Sequence, residues 1–105
     1  MNEAIVVLTN LPNQASAEAL ASILVEARQA ACVNILAPCR SVYRWKGQIE
    51  RAEEVPLLIK TTKDRYDELE KVIRKHHPYE IPEIIALPIE AGSAAYMNWI
   101  RSEVA

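Results

Sequence analysis

The chain has 105 residues, 50% of them hydrophobic, and a formal net charge of −2, enough for one domain with a real core and too apolar for disorder. A near-neutral balance argues against a general nucleic-acid binder, and no apolar run reaches the roughly 20 residues of a membrane span. No signal peptide opens the sequence and two cysteines are too few for a secreted disulfide framework, so the cytoplasm is the expected compartment.

Ala4 to Leu8 is a continuous, β-branched apolar run, expected to be a strand buried on both sides or covered by neighbouring strands. Thr9 to Ala15 has the chemistry of a loop. Ser16 is the expected helix cap, with Glu18 in the first turn, and Leu20, Ile23, Leu24, Ala27 and Ala31 fall on one helical face. A second strand is expected from about Cys32 to Leu36. After Pro38, Ser41 to Glu54 reads as a β-hairpin turning at Lys46-Gly47, with arms that project. Val55 to Thr61 is the next strand. Thr61 or Thr62 caps the second helix, whose apolar face is Tyr66, Leu69, Val72 and Ile73, and whose outer face offers the pairs Asp67–Lys71 and Glu70–Arg74. His76 and His77 close that helix and Pro78 stops it.

The segment from Pro82 to Pro88 is apolar and bracketed by prolines an even number of residues apart. Both missing donors then fall on one side, leaving Glu83, Ile85 and Leu87 to pair on the other, as suits an edge strand. Ser93 caps a short last helix bearing Tyr96, Trp99, Ile100 and Val104. The order β-α-β-β-α-β-α, over one domain spanning 1–105, specifies an α+β, ferredoxin-like split-βαβ sandwich with a long projecting hairpin. Its first and third strands belong in the centre and its fourth on an edge.

Such a fold hosts many functions, so the sites must choose. Two glycines allow neither a P-loop nor a dinucleotide loop. Val55–Thr61 lacks the stacking aromatics of an RNA-recognition sheet, and no nucleophile elbow, His-Glu-x-x-His helix or Cys-x-x-Cys pair occurs, leaving hydrolytic or redox catalysis without a candidate. Adjacent His76 and His77 cannot readily hold one ion together, and read as a cationic helix end. Cys32 reads as a core thiol and Cys39 as a lone soft ligand able to meet partners across subunits. Tyr43, Trp45 and Tyr79, on or near arms without a core of their own, suggest contact with another chain. Lys60 ends a buried strand with a charge that either escapes to solvent or meets an anion.

Four ordered stretches carry a resemblance. Ala30-Ala31-Cys32-Val33-Asn34-Ile35, then Tyr43-x-Trp45-x-Gly47-x-Ile49-Glu50, then Lys60-Thr61, then His77-Pro78-Tyr79-Glu80-x-Pro82-Glu83-Ile84 resemble the CutA family of divalent-cation tolerance proteins. The resemblance spans essentially the whole chain. It implies a tight homotrimer, similar in architecture to PII signalling proteins, with a link to copper and metal tolerance. It carries that implication onto Cys32, Tyr43, Trp45, Lys60, His77, Tyr79, Glu80 and Glu83.

Two functions are therefore expected. The first is a non-enzymatic homotrimer of metal tolerance that binds copper, or another divalent cation, weakly. Its copper(II) would use His77 or His76 with Glu80, partly from the adjoining subunit, and Cys39 would be the better copper(I) ligand. The second is a PII-like sensor whose interface clefts, lined by Tyr43, Trp45, Lys60 and Glu83, bind an anion or small metabolite. Neither nucleic acid nor membrane is an expected partner.

Overall fold

The computed structural model describes residues 3–104. Strand β1 (Ala4–Leu11) leads to helix α1 (Gln14–Glu26), then β2 (Cys32–Ile35), β3 (Cys39–Trp45) and β4 (Gln48–Thr62). A 3-10 turn at Lys63–Arg65 opens into α2 (Tyr66–His76), followed by β5 (Ile85–Pro88) and α3 (Ala94–Glu103). The sheet runs β2-β4-β1-β5, every pair antiparallel, with β3 added along β4. This is the order expected of a split-βαβ sandwich, with the Ile5–Leu8 and Leu57–Ile59 runs at its centre.

The core lies between the sheet and two helices. Val7, Leu11, Leu57 and Ile59 project from one sheet face against Leu20 and Leu24 of α1 and Leu69 and Ile73 of α2, all nearly or fully buried. Burying an aliphatic side chain of this size stabilises the fold by roughly 1.5–3 kcal/mol. Of the two expectations for β1, cover by neighbouring strands holds, between β4 and β5, and burial on both faces does not. Its alternate residues Val6, Leu8 and Asn10 are only half-buried, because α1 and α2 cover a single face.

Other boundaries move for local reasons. Thr9 to Leu11 belong to β1 rather than to a loop, since they continue its ladder opposite Leu57, Pro56 and Val55. Asn13, not Ser16, caps α1: its side-chain oxygen accepts from the Ser16 amide at 2.8 Å. Glu18 consequently lies beyond the first turn, while Ala27 is the exposed C-cap and Ala31 is outside the helix. The Glu70–Arg74 pair closes at 3.7 Å; among the described residues Asp67–Lys71 does not. Ser93 caps α3 as expected, accepting from the Tyr96 amide at 3.2 Å.

The hairpin's second arm and the central strand are one strand, β4, of 15 residues. Pro56 does not interrupt it. Its carbonyl accepts from the Leu36 amide, and its missing donor faces the same residue just past the end of β2, so only one bond of that terminal pair is forgone. Partnered by β1 only as far as Val55, β4 continues with β3 alone as a two-stranded ribbon, stretching the molecule to 44 × 26 × 24 Å. The ribbon turns at Lys46 and Gly47, both with positive φ (49° and 81°), as a type I′ turn requires.

Edge strand β5 is shorter than expected and excludes Glu83. Ile89 N–H reaches Ala4 O at 3.4 Å, so ladder alternation directs the Leu87 and Ile85 amides at β1 and the vacant nitrogen of Pro88 outward.

Candidate functional site

A cleft of about 590 Å³ opens between the ribbon and the segment that follows α2. Directly paired residues share a sheet face, so Cys39, Ser41, Tyr43 and Trp45 line up with Glu54, Ala52, Glu50 and Gln48. Ser41, Tyr43, Trp45 and Glu54 of that face form one wall of the cleft; Tyr79, Glu80 and Glu83 form the other. Among the described residues, the lining holds three carboxylates and no lysine or arginine.

His77 fixes the second wall. Pro78 ends the helix, so His77 leaves α2 in extended conformation and turns inward, 8% exposed, while neighbouring His76 stays on the surface. Its Nε2 lies 2.7 Å from Asn10 O, which can only accept, and its Nδ1 receives the Tyr79 N–H at 3.2 Å. The ring is therefore the neutral Nε2–H tautomer with both nitrogens engaged. Burial holds its pKa below the usual histidine value, outweighing the opposite pull of the Asn10 bond and the Glu54 charge. Within this subunit neither His77 nitrogen is free for a metal.

Tyr79 packs on that imidazole, ring centroids 4.8 Å apart. Burial, then a hydrogen bond to the Glu54 carboxylate, pushes the Tyr79 hydroxyl up to about 12. Glu54, 8% exposed, is the residue that sequence reasoning missed. Its signal was a glutamate directly before the apolar run at Val55, where charge meets core. Asn10 links the same wall to β1, its amide donating to Glu83 at 3.3 Å. At the ribbon tip, Lys46 Nζ is 4.0 Å from Glu80 and 5.5 Å from the centre of the Trp45 ring.

The remaining expected residues lie elsewhere. Lys60 is absent from the cleft: it donates to Asn34 at 2.6 Å and lies 5.8 Å from the Tyr96 ring centre, against α3. Cys32 pairs with Lys60 and so projects from the sheet face opposite the α1–α2 core, half-buried, rather than into that core. Cys39 is half-buried beside Ser41, with sulfur and hydroxyl 3.9 Å apart. The cysteines face β4 residues Lys60 and Glu54, which puts them about 20 Å apart along the strand, too far to share an ion. Among the described residues, no three His, Cys, Asp or Glu side chains converge on one metal position.

The family model described as CutA1 divalent ion tolerance protein matches residues 5–103. The divalent-cation tolerance protein CutA of Thermus thermophilus is 44% identical over 96 residues, 91% of this chain and 93% of that one. The crystal structure of CutA1 from Oryza sativa superposes with a TM-score of 0.95 at 36% identity, over 98% of this chain and 94% of that one. A periplasmic divalent cation tolerance protein CutA from Archaeoglobus fulgidus gives 0.94 at 34% identity, over 97% and 99%.

Proposed function

The chain belongs to the CutA1 divalent ion tolerance protein family, and from that membership we propose a non-enzymatic homotrimer that binds a divalent cation, copper among them, weakly through ligands contributed by more than one subunit. The observation that carries this reading is the uncovered apolar surface of the single chain. Val42 and Ile49 on the ribbon are 62% and 51% exposed, and Ile85 and Leu87 on the sheet edge 47% and 49%. Surface of that kind, on a strand edge with free backbone groups, calls for a covering chain.

Assembly would also complete the donor count. His76 presents the accessible imidazole, Glu80 and Glu83 exposed carboxylates, and Cys39 a thiol suited to copper(I), each too isolated in one subunit to hold an ion. His77 drops out of this set because both its nitrogens are used. No helix among the described residues is long and apolar enough to cross a membrane. The cytoplasm is our proposed compartment on the sequence reading, against which the word periplasmic in the Archaeoglobus relative's description stands.

Light scattering at micromolar concentration should give three times the 11.8 kDa subunit mass. Copper titration of folded His76→Ala, Glu80→Gln and Cys39→Ser should then show weaker binding in at least one variant. A monomer mass, or parental copper binding in all three, defeats the proposal.

A second reading, the small-molecule sensor, is favoured by the cleft itself, whose volume falls in the range of ligand pockets. Its lining of glutamates without a basic residue turns the expected anion into a cation.

A further inference from the structure

The cleft beside the ribbon has a composition that a bare metal ion does not explain. A divalent ion draws several oxygens to within about 2.0–2.6 Å of one point. Here the three carboxylates are engaged separately: Glu54 with Tyr79, Glu83 with Asn10, Glu80 with Lys46. They are spaced along a groove of about 590 Å³ instead of gathered, and Tyr43, Trp45 and Tyr79 supply aromatic surface between them. Distributed negative charge with aromatic walls and no competing cation in the described lining suits an extended organic cation. Its ammonium groups would meet carboxylates and ring faces, and its alkyl segments would lie on the rings.

The chain already displays the contact. The Lys46 ammonium, a primary alkylammonium on a flexible stem, reaches toward the Trp45 face and the Glu80 carboxylate together, at 5.5 Å and 4.0 Å. It comes from the ribbon tip, outside the cleft lining, and no cation of the described lining meets Glu83 or Tyr43. We propose that this cleft binds a linear alkyl polyamine, one ammonium displacing Lys46 from Trp45 and Glu80 and a second meeting Glu83. The inference rests on the second functional reading, that the cleft is a ligand site, and names the ligand class.

The test is calorimetric titration of the full chain, in its solution assembly, with spermidine and separately with Mg²⁺ at matched ionic strength and with Cu²⁺. A Trp99→Phe background leaves Trp45 as the single tryptophan reporting on the site. Spermidine should bind saturably and shift Trp45 emission. Glu83→Gln and Glu80→Gln should each weaken it by about fivefold or more, the scale of one charge contact or cation–π contact. Lys46→Asn, which removes the resident ammonium while suiting the positive φ, should tighten it. Spermidine heats matching those of Mg²⁺, or parental affinity in both glutamine variants, overturn the inference. Absence of spermidine binding while copper still binds overturns it too and leaves the metal reading standing. Spermidine binding without copper binding supports the polyamine cleft and removes the metal reading instead.

Discussion

Two adjacent histidines divide the work of one helix end. In sequence His76 and His77 are the same residue type; what separates them is Pro78, which turns the second inward. Its neutral ring has a lowered pKa, so protons bind the unfolded chain preferentially below about pH 6.5. Stability is therefore fully present above that pH and falls as pH drops through the lowered folded value. Urea denaturation should show an acid slope of at most about 1.4 kcal/mol per pH unit that flattens in His77→Gln. Tyr79 has the opposite sense. Its pKa is raised from 10.0 to about 12, so its contribution is complete below pH 10.0 and fades as pH rises through about 12. Ultraviolet titration should find Tyr79 ionising late, alongside Tyr66, whose hydroxyl burial also pushes up, and Glu54→Gln should bring the Tyr79 step alone to lower pH. Neither the Glu54 bond nor the displacement of Lys60 from the cleft was legible, because both depend on which sheet face a residue occupies across a long-range pairing.

The sequence predicted the kind and order of the elements well, because each carries a local period or a stop. Pro78, Ser93 and the Lys46-Gly47 turn each act where they stand. The division expected between a hairpin ending at Glu54 and a strand starting at Val55 is absent, and Pro56 leaves β4 continuous because a proline's tolerance depends on the neighbour opposite its nitrogen. The same limit hid β1's last three residues, which are held by Leu57, Pro56 and Val55 and not by their own propensity. The turn allows a direct check. A Cβ at Gly47 would meet nothing within 4 Å, so the cost of Gly47→Ala comes from the positive φ alone. It should destabilise the ribbon by about 1–2 kcal/mol in denaturant unfolding, while Lys46→Asn should be neutral or better.

At the scale of the whole molecule, the edge position of the last strand and the projecting ribbon were both readable from proline spacing and turn chemistry. Contacts beyond the chain were not, since a single chain's periodicity describes only its own core. Trp99, on the last helix, is 41% exposed and packs on Tyr96 with ring centroids 5.5 Å apart. If the ribbon lies in a subunit interface, Trp45→Ala should lower the sedimenting mass on dilution far more than it lowers subunit stability, with an interface cost of about 2 kcal/mol or more. Full assembly persisting at nanomolar concentration would remove the ribbon from that interface.

Strand β4 belongs to two neighbourhoods without a joint between them. From Thr62 to Val55 it has β1 throughout and β2 on its other side from Lys60 to Leu57; from Glu54 to Gln48 it has β3 alone. Its projecting half, Glu54 to Gln48, is thus a lever about 20–23 Å long clamped at its root, so a push at the tip is delivered into the sheet instead of being absorbed by a flexible connection. Hydrogen–deuterium exchange on the folded chain should draw this as a gradient within a single strand. Amides should be slowest near Ile59 and quicken beyond Val55, where the lever leaves its mount.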